Sequence, residues 1–536
     1  MTTILSCCIT VLTAILASTA ASAADWPQWR GPDRSGIAPS SPALTTNWTA
    51  TGPALVWKSE KIPTYEEGGI GSVAISNGLV VVYSNWKHKG PIETRTLPDG
   101  GLRALGWIPE KIPEGTLKAI EAARQSDERK ALTQDNVAKW AEAWANENLK
   151  DDAVKNFNVY ARDRISRGTN AFDLAQLDKL AAIKDKPFPN QAEFDKWFTD
   201  NGIEEALRKE AVKHVATAGD KANDTIFCFN AANGEVKWKA QFPGQPTGWF
   251  TSATPLIVGD RCYQLASGDF YCLSMKDGSV VWKAKVDLVG GSSSSALFIN
   301  GKIIVVAGKL IAYDTTGNLL WSQPAVSHTH TSPATWTNGG KTFVICSGSV
   351  NDLICVDPAD GSVVWRTSPG ANNSTPAISG DYAVALGEGP GLQIFRLARD
   401  KAEKVWNFRF DDRGSSPIVA DGHVYIVAGR FDGKAVCLKL ETGQVVWEGK
   451  IPGGAEVGSP ILADGKLIAL VNSGTELWMM RAGPTAFEVL AKAKIPGANG
   501  SSPAIADGKL YLRTTEGVAC YDLTQSAEKP TPAPAK

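Results

Sequence analysis

A glycine followed four residues later by a tryptophan recurs along this chain: Gly234 and Trp238, Gly278 and Trp282, Gly317 and Trp321, Gly361 and Trp365, Gly443 and Trp447. The period is about 40 residues, which restricts the chain to folds that stack or ring one supersecondary unit. Each copy has the form of Cys355-Val-Asp357-Pro-Ala-Asp360-Gly361-Ser-Val-Val-Trp365: an apolar run ends in a polar residue, a Gly-containing turn follows, and a β-branched run leads to Trp. This pattern predicts a β-hairpin with an aromatic anchor. Trp406 keeps the phase behind a charged turn, and Trp57 repeats it near the N-terminus. A buried Trp removes roughly 150–250 Å² from water, worth at most about 4–6 kcal/mol. These seven tryptophans are therefore read as packing anchors between repeats.

A second marker alternates with the first. Asn77-Gly78, Gly259-Asp260, Asn300-Gly301, Asn338-Gly339, Gly380-Asp381, Asp421-Gly422, Asp464-Gly465 and Asp507-Gly508 each sit between apolar strands. These dipeptides suit the type I′ and II′ turns of two-residue hairpins. Each hairpin is followed by two more strands, so the fold class is all-β, an eight-bladed β-propeller of four-stranded antiparallel blades. The last hairpin has a third strand at Gly517-Val-Ala-Cys520 but no fourth. The segment Ala54-Leu-Val-Trp57-Lys58 is expected to supply it and close the ring.

Cys355, Asp357, Gly361 and Trp365 resemble the pyrroloquinoline-quinone (PQQ) repeat, Ala-x-Asp-x-x-x-Gly-x-x-x-Trp, with Cys in the Ala place. The resemblance covers residues 55–523 apart from one insertion. It implies the propeller fold; function is left open, because the repeat occurs in quinoprotein dehydrogenases and in cofactor-free propellers such as the lipoprotein of the outer-membrane β-barrel assembly machinery.

The expected organisation is a signal peptide over 1–23, an N-terminal arm over 24–53, the propeller over 54–90 and 223–523, a helical insertion over 91–222 in the first blade, and a Pro/Ala-rich disordered tail over 524–536. The signal reading rests on the apolar run 9–21 ending in Ala21-Ser-Ala23. It implies a periplasmic or secreted protein with no transmembrane segment in the mature chain. In the arm, Asp25-Trp26-Pro27-Gln28-Trp29-Arg30-Gly31-Pro32 cannot be a helix or central strand, and its two tryptophans are expected on the propeller's outer surface. In the insertion, Val137, Trp140, Ala141 and Trp144 recur at helical spacing, as do Val154, Phe157, Tyr160 and Ala161, then Leu174, Leu177, Leu180 and Ala181, then Ile203, Ala206, Leu207 and Ala211. Because it interrupts a second-to-third-strand connection, it is expected to stand over the mouth of the propeller.

Cys228, Cys272, Cys355, Cys437 and Cys520 share one phase of the repeat and read as small apolar packing residues. Cys262 with Cys272, and Cys346 with Cys355, flank inter-strand turns and leave cross-strand disulfides open. A formal net charge of −1 gives no electrostatic footprint for nucleic acid.

The loops between blades carry the candidate ligand-binding residues of the mouth: Trp249, His328, His330, Asn372, Asn373, Asp411, Asp412, Arg413, Glu456 and Asn499. Many loops converging on one axial funnel form a pocket that no single segment encodes. His328 and His330 would share a strand face, but spacing provides no third ligand, so no metal site is assigned. No catalytic residue is assigned either. Many quinoprotein alcohol dehydrogenases of the resembling family, though not all quinoproteins, carry adjacent cysteines beneath the cofactor, and the mature chain has no Cys-Cys pair. Their calcium ligands and catalytic Asp have no residue-by-residue match here. The expected function is a non-catalytic scaffold that binds a protein, peptide or glycan at the mouth and needs no cofactor. The alternative is a PQQ- and calcium-dependent alcohol or sugar dehydrogenase, with Trp249 as stacking platform and Asp411 or Asp412 as base.

Overall fold

The computed structural model describes residues 25–525, apart from 289–292, 328–329, 349–350, 371–373, 388, 411, 413, 429–432 and 454–457. The signal segment and most of the Pro/Ala tail lie outside the described residues. Eight four-stranded antiparallel sheets follow one another along the chain as blades 1–8. Blade 1 begins with Ala74–Ser76, and blade 8 with Ala504–Ala506. The last blade is completed by Ala54–Lys58, which pairs with Val518–Asp522 in the register Leu55 to Tyr521 and Trp57 to Cys520. The ring is thus locked by strands from opposite ends of the chain.

The turn chemistry follows the dipeptide order. At Asn77-Gly78, Asn300-Gly301, Asp421-Gly422, Asp464-Gly465 and Asp507-Gly508 both residues have positive φ, the signature of a type I′ turn. At Gly259-Asp260 and Gly380-Asp381 only the glycine does, as a II′ turn requires.

Each anchor tryptophan works across a blade boundary. The Nε1–H of Trp57 donates to Ala231 O in blade 1 at 2.8 Å, that of Trp238 to Met275 O in blade 2 at 2.8 Å, and that of Trp282 to Thr315 O in blade 3 at 3.0 Å. Trp321, Trp365, Trp406 and Trp447 continue the series onto Pro358, Ala398, Leu440 and Gly483. The repeat glycine belongs to the same contact. A Cβ on Gly361 would lie 2.6 Å from the Trp321 ring, and Gly234, Gly278, Gly317 and Gly443 meet Trp57, Trp238, Trp282 and Trp406 in the same way. The motif therefore joins the Trp of one blade to the Gly of the next. Trp282, Trp321 and Trp406 are only half-buried; the other four are buried.

A feature absent from the hairpin reading is a bulge just before each Trp. Cys355 faces Trp365 while Val356 faces Val363, so Val364 is the extra residue. The same register shift separates the third and fourth strands of all eight blades. A bulge re-aims the following side chain and deepens the twist, and here it turns the Trp toward the next blade.

Directly opposite the Trp, on the third strand, stands the small residue: Cys228, Cys272, Cys355, Cys437 and Cys520 face Trp238, Trp282, Trp365, Trp447 and Trp57. All are buried free thiols. Cross-strand disulfides are ruled out by the pleat. Cys262 pairs with Leu273 rather than Cys272, and Cys346 with Ile354 rather than Cys355, so each couple points to opposite faces of its sheet.

Residues Lys89–Asp220 form a separate compact unit. Its helices include Gln134–Asn148, Asn158–Arg167, Leu174–Ala181 and Glu205–Lys213, as the spacing predicts, and also Asp99–Leu105, Glu114–Gln125 and Gln191–Asp200. Two apolar clusters hold it, one around Leu177, Phe194 and Leu207, the other around Ile120, Ala141 and Ile165. The aromatic side chains of these helices lie in or against those clusters, forming the unit's own core.

Two expectations follow. Trp365→Ala should lower unfolding stability by about 3–5 kcal/mol, through cavity formation and an orphaned Ala398 carbonyl; a urea midpoint equal to wild type would refute the anchor role. Burial also pushes the thiols of Cys228, Cys355 and Cys520 up to about 12 and those of Cys272 and Cys437 up to about 11, from an ordinary 9.0. The folded state then holds protons that the unfolded chain releases, so this contribution is intact below about pH 9 and is lost as pH rises through the folded values. Cys355→Ala should flatten the alkaline fall in stability between about pH 9 and 12, measured by denaturant titration.

Candidate functional site

Two residues before each inner strand stands a hydroxyl: Ser72, Thr254, Ser295, Ser332, Thr375, Ser416, Ser459 and Ser502. The backbone N–H of one donates to the hydroxyl oxygen of the next. The chain runs from Thr254 to Ser295, Ser332 and Thr375 at 2.9 Å each, to Ser416 at 3.2 Å, to Ser459 and Ser502 at 2.9 Å, and to Ser72 at 3.0 Å. Seven of the eight blade boundaries are thereby tied at the axis. Its signal was present in the sequence as the Ser-Pro or Thr-Pro step at Thr254, Ser332, Thr375, Ser416, Ser459 and Ser502. Proline suits the start of an edge strand because it has no N–H to satisfy.

The ring faces a cavity of ≈ 180 Å³ whose wall is aromatic and hydroxylic. Trp249, Phe250 and His330 descend from inter-blade loops, and Trp29 enters from the arm. Trp249 is 52% exposed and meets His330 edge-on at 6.3 Å between ring centroids. Phe250 is backed by Tyr65 at 4.7 Å, and the hydroxyl of Tyr65 accepts from Asn499 Nδ2 at 2.7 Å.

The arm corrects the expectation that its tryptophans decorate the outer surface. It lies against the inner strands instead. Trp26 is buried and exchanges two backbone hydrogen bonds with Ile75 in blade 1, Pro27 O accepts from Ile257 N in blade 2, and Gly36 and Ala38 bracket Leu462 in blade 7. Innermost strands present an unpaired edge to the axis, and this segment pairs with it where a regular strand could not fit. Two buried guanidinium groups complete the closure. Arg30 donates to the carbonyls of Ser416 and Pro417, and Arg34 to those of Ser295 and Ala296, so both cap the backbone of the hydroxyl ring. Both lie against Trp29, with Cζ 5.6 and 5.9 Å from its ring centroid. Burial pulls Arg30 down to about 9, helped by repulsion from Arg34, and burial likewise pulls Arg34 to about 9. Both remain cationic at neutral pH.

Of the residues named from the sequence, Trp249 and His330 line the cavity. Asn499 sits one residue before Gly500, which also lines it. Asp412 is buried, and its Oδ2 accepts from Ser415 N at 2.9 Å, which holds the loop entering blade 6. His328, Asn372, Asn373, Asp411, Arg413 and Glu456 lie outside the described residues. Among the described residues no three His, Cys, Asp or Glu side chains converge as a metal site.

The family model described as outer membrane protein assembly factor BamB, PQQ_2, matches residues 203–310 and 306–529. The chain belongs to this family of PQQ-like β-propellers. It is 22% identical to the outer membrane protein assembly factor BamB of Salmonella typhimurium over 64% of this chain and 81% of that protein. It is also 23% identical to a tetrathionate hydrolase of Acidithiobacillus ferrooxidans, over 45% of this chain but only 44% of that protein's length. Among solved structures, BamB from Moraxella catarrhalis aligns with TM-score 0.44 and 18% identity, covering 54% of this chain and 85% of that one. Within this PQQ_2 propeller no described helix is long and apolar enough to cross a membrane.

If the arm closes the axis, Arg30→Ala should leave the carbonyls of Ser416 and Pro417 buried without donors. A loss of about 1–3 kcal/mol per orphaned group is expected in chemical denaturation, and an unchanged midpoint would show the arm to be dispensable.

Proposed function

We propose that this PQQ_2 propeller is an exported, non-catalytic binding protein that holds a protein, peptide or glycan segment in its axial cavity. The observation that carries the reading is the closure of the axis by the chain's own arm. Trp26, Arg30 and Arg34 bond the inner strands of blades 1, 3 and 6, and the described lining of the cavity beside the arm offers aromatic faces, hydroxyls and one imidazole. Such a wall recognises by stacking and hydrogen bonding. Similarity to a protein named as an outer membrane protein assembly factor supports a protein partner. The apolar run 9–21 and Ala21-Ser-Ala23 support export to the periplasm.

The exposed ring of Trp249 favours one alternative, a PQQ-dependent dehydrogenase, because a flat cofactor would stack on it. The fit is incomplete. The carboxylate of Asp412 is buried and engaged with its own loop, and the described lining supplies rings and hydroxyls but no carboxylate for a calcium ion beside the cofactor.

Trp249→Ala tests the first reading. Binding of a partner captured by site-specific photo-cross-linking at position 249 should fall at least about tenfold, roughly 1.4 kcal/mol, with the melting temperature unchanged. PQQ with Ca²⁺, added to the intact protein with a redox dye and a panel of alcohols and sugars, should give no turnover. Dye reduction with stoichiometric PQQ uptake would replace the binding reading with the dehydrogenase.

A further inference from the structure

The hydroxyl ring is a donor array. A serine or threonine hydroxyl has one hydrogen to give and two lone pairs. In Ser72, Ser295, Ser332, Thr375 and Ser502, which line the cavity, the oxygen already accepts a neighbour's backbone N–H. Among the described residues none of these hydroxyls donates its hydrogen to an acceptor. Ser293 beside them, also lining the cavity, is buried with its hydroxyl unpartnered. Convergent donors with their acceptor capacity partly spent favour a ligand rich in lone pairs.

The charge beneath the ring selects among such ligands. Arg30 and Arg34 direct their paired N–H groups to carbonyl or amide oxygens: Ser416, Pro417, Ser35 and Arg34 for the first, Ser295, Ala296 and Gln28 for the second. Neither forms an ion pair with a carboxylate among the described residues, and the described lining of the cavity contains no Asp or Glu. Two buried cations therefore lie against Trp29, which contributes to the cavity wall, and in a low-dielectric interior their field is weakly screened. Neutral polyols would use the hydroxyls but not this field, and an ammonium group would be repelled by it.

We propose that the axial cavity binds an oxyanion, a carboxylate, sulfate or phosphate group that is either free or carried at the end of a larger ligand, with the hydroxyl ring as its donors and the positive charge of Arg30 and Arg34, packed against Trp29 in the cavity wall, favouring its negative sign. This rests on the mouth-binding reading and names the chemistry of its ligand. A cavity of ≈ 180 Å³ accommodates a small oxyanion or the anionic terminus of a peptide or glycan.

The test is calorimetric titration of the intact protein with sulfate, phosphate, acetate and a neutral methyl glycoside, at constant ionic strength set with chloride, alongside tryptophan emission. At least one oxyanion should bind saturably, one per chain, at millimolar or lower concentration, and the glycoside should not. Ser332→Ala combined with Thr375→Val should weaken that binding about tenfold, while Ser332→Thr should retain it; circular dichroism and melting report whether each variant is folded. Should the double variant not fold, competition without the ring substitutions decides: the oxyanion must suppress photo-cross-linking of the partner at position 249. Absence of saturable oxyanion binding, or binding that the ring variant leaves unchanged or that fails to compete at Trp249, overturns the proposal. A neutral partner held at Trp249 without competition by any oxyanion also overturns it and leaves mouth binding standing. Oxyanion binding with no partner dependence on Trp249 would instead remove the scaffold reading.

Discussion

The indole of one blade laid on the glycine of the next is the contact on which the ring depends. It combines three requirements that no blade meets alone. At five of the seven anchors the indole lies on a glycine that has no Cβ, the N–H of all seven finds a carbonyl of the next blade, and the residue opposite across the sheet is a cysteine in five blades. The apolar clusters follow the same logic: one links blades 1 and 2, another 2 and 3, another 4 and 5, so the core lies between blades rather than within them. Closure by Ala54–Lys58 is thus more than a strand added to a sheet, because Trp57 carries the blade-to-blade contact from the last blade to the first.

The axis is held differently. There the junctions between blades are made by hydroxyls and backbone. The arm then occupies the space the ring leaves, trading its own polar backbone and two guanidinium groups for the exposed edges of the inner strands. Recognition chemistry at the mouth and structural closure from the other end consequently share residues. The carbonyls that Arg30 and Arg34 cap belong to two members of the ring, Ser416 and Ser295, and the residues that follow them, and Ser295 also lines the cavity, so the stability of the axis and the electrostatics of the site are one problem.

Much of this was legible in the sequence because it is local and repeated. The dipeptide order at Asn77-Gly78 and Gly259-Asp260 gives the turn type, the Gly-to-Trp spacing gives the anchor, and the missing fourth strand after Val518–Asp522 gives the closure. The bulge before each Trp was hidden because an extra residue leaves no trace in composition. The Ser-Pro and Thr-Pro steps were visible in the sequence, but their meaning lies in a bond to the adjacent blade, which no local pattern shows. The arm was misplaced for a related reason: Trp-Pro-Gln-Trp-Arg has no periodicity, and only neighbours from five blades show what it satisfies.

By itself the sequence determined the unit and its number: hairpins, anchors and eight repeats follow from backbone preferences and apolar spacing, which act over a few residues. The tertiary structure alone decided what lies at the centre. Which side chains meet at the axis depends on residues as distant as Arg30 and Ser416, brought together by ring closure, and no short-range preference encodes a contact of that span.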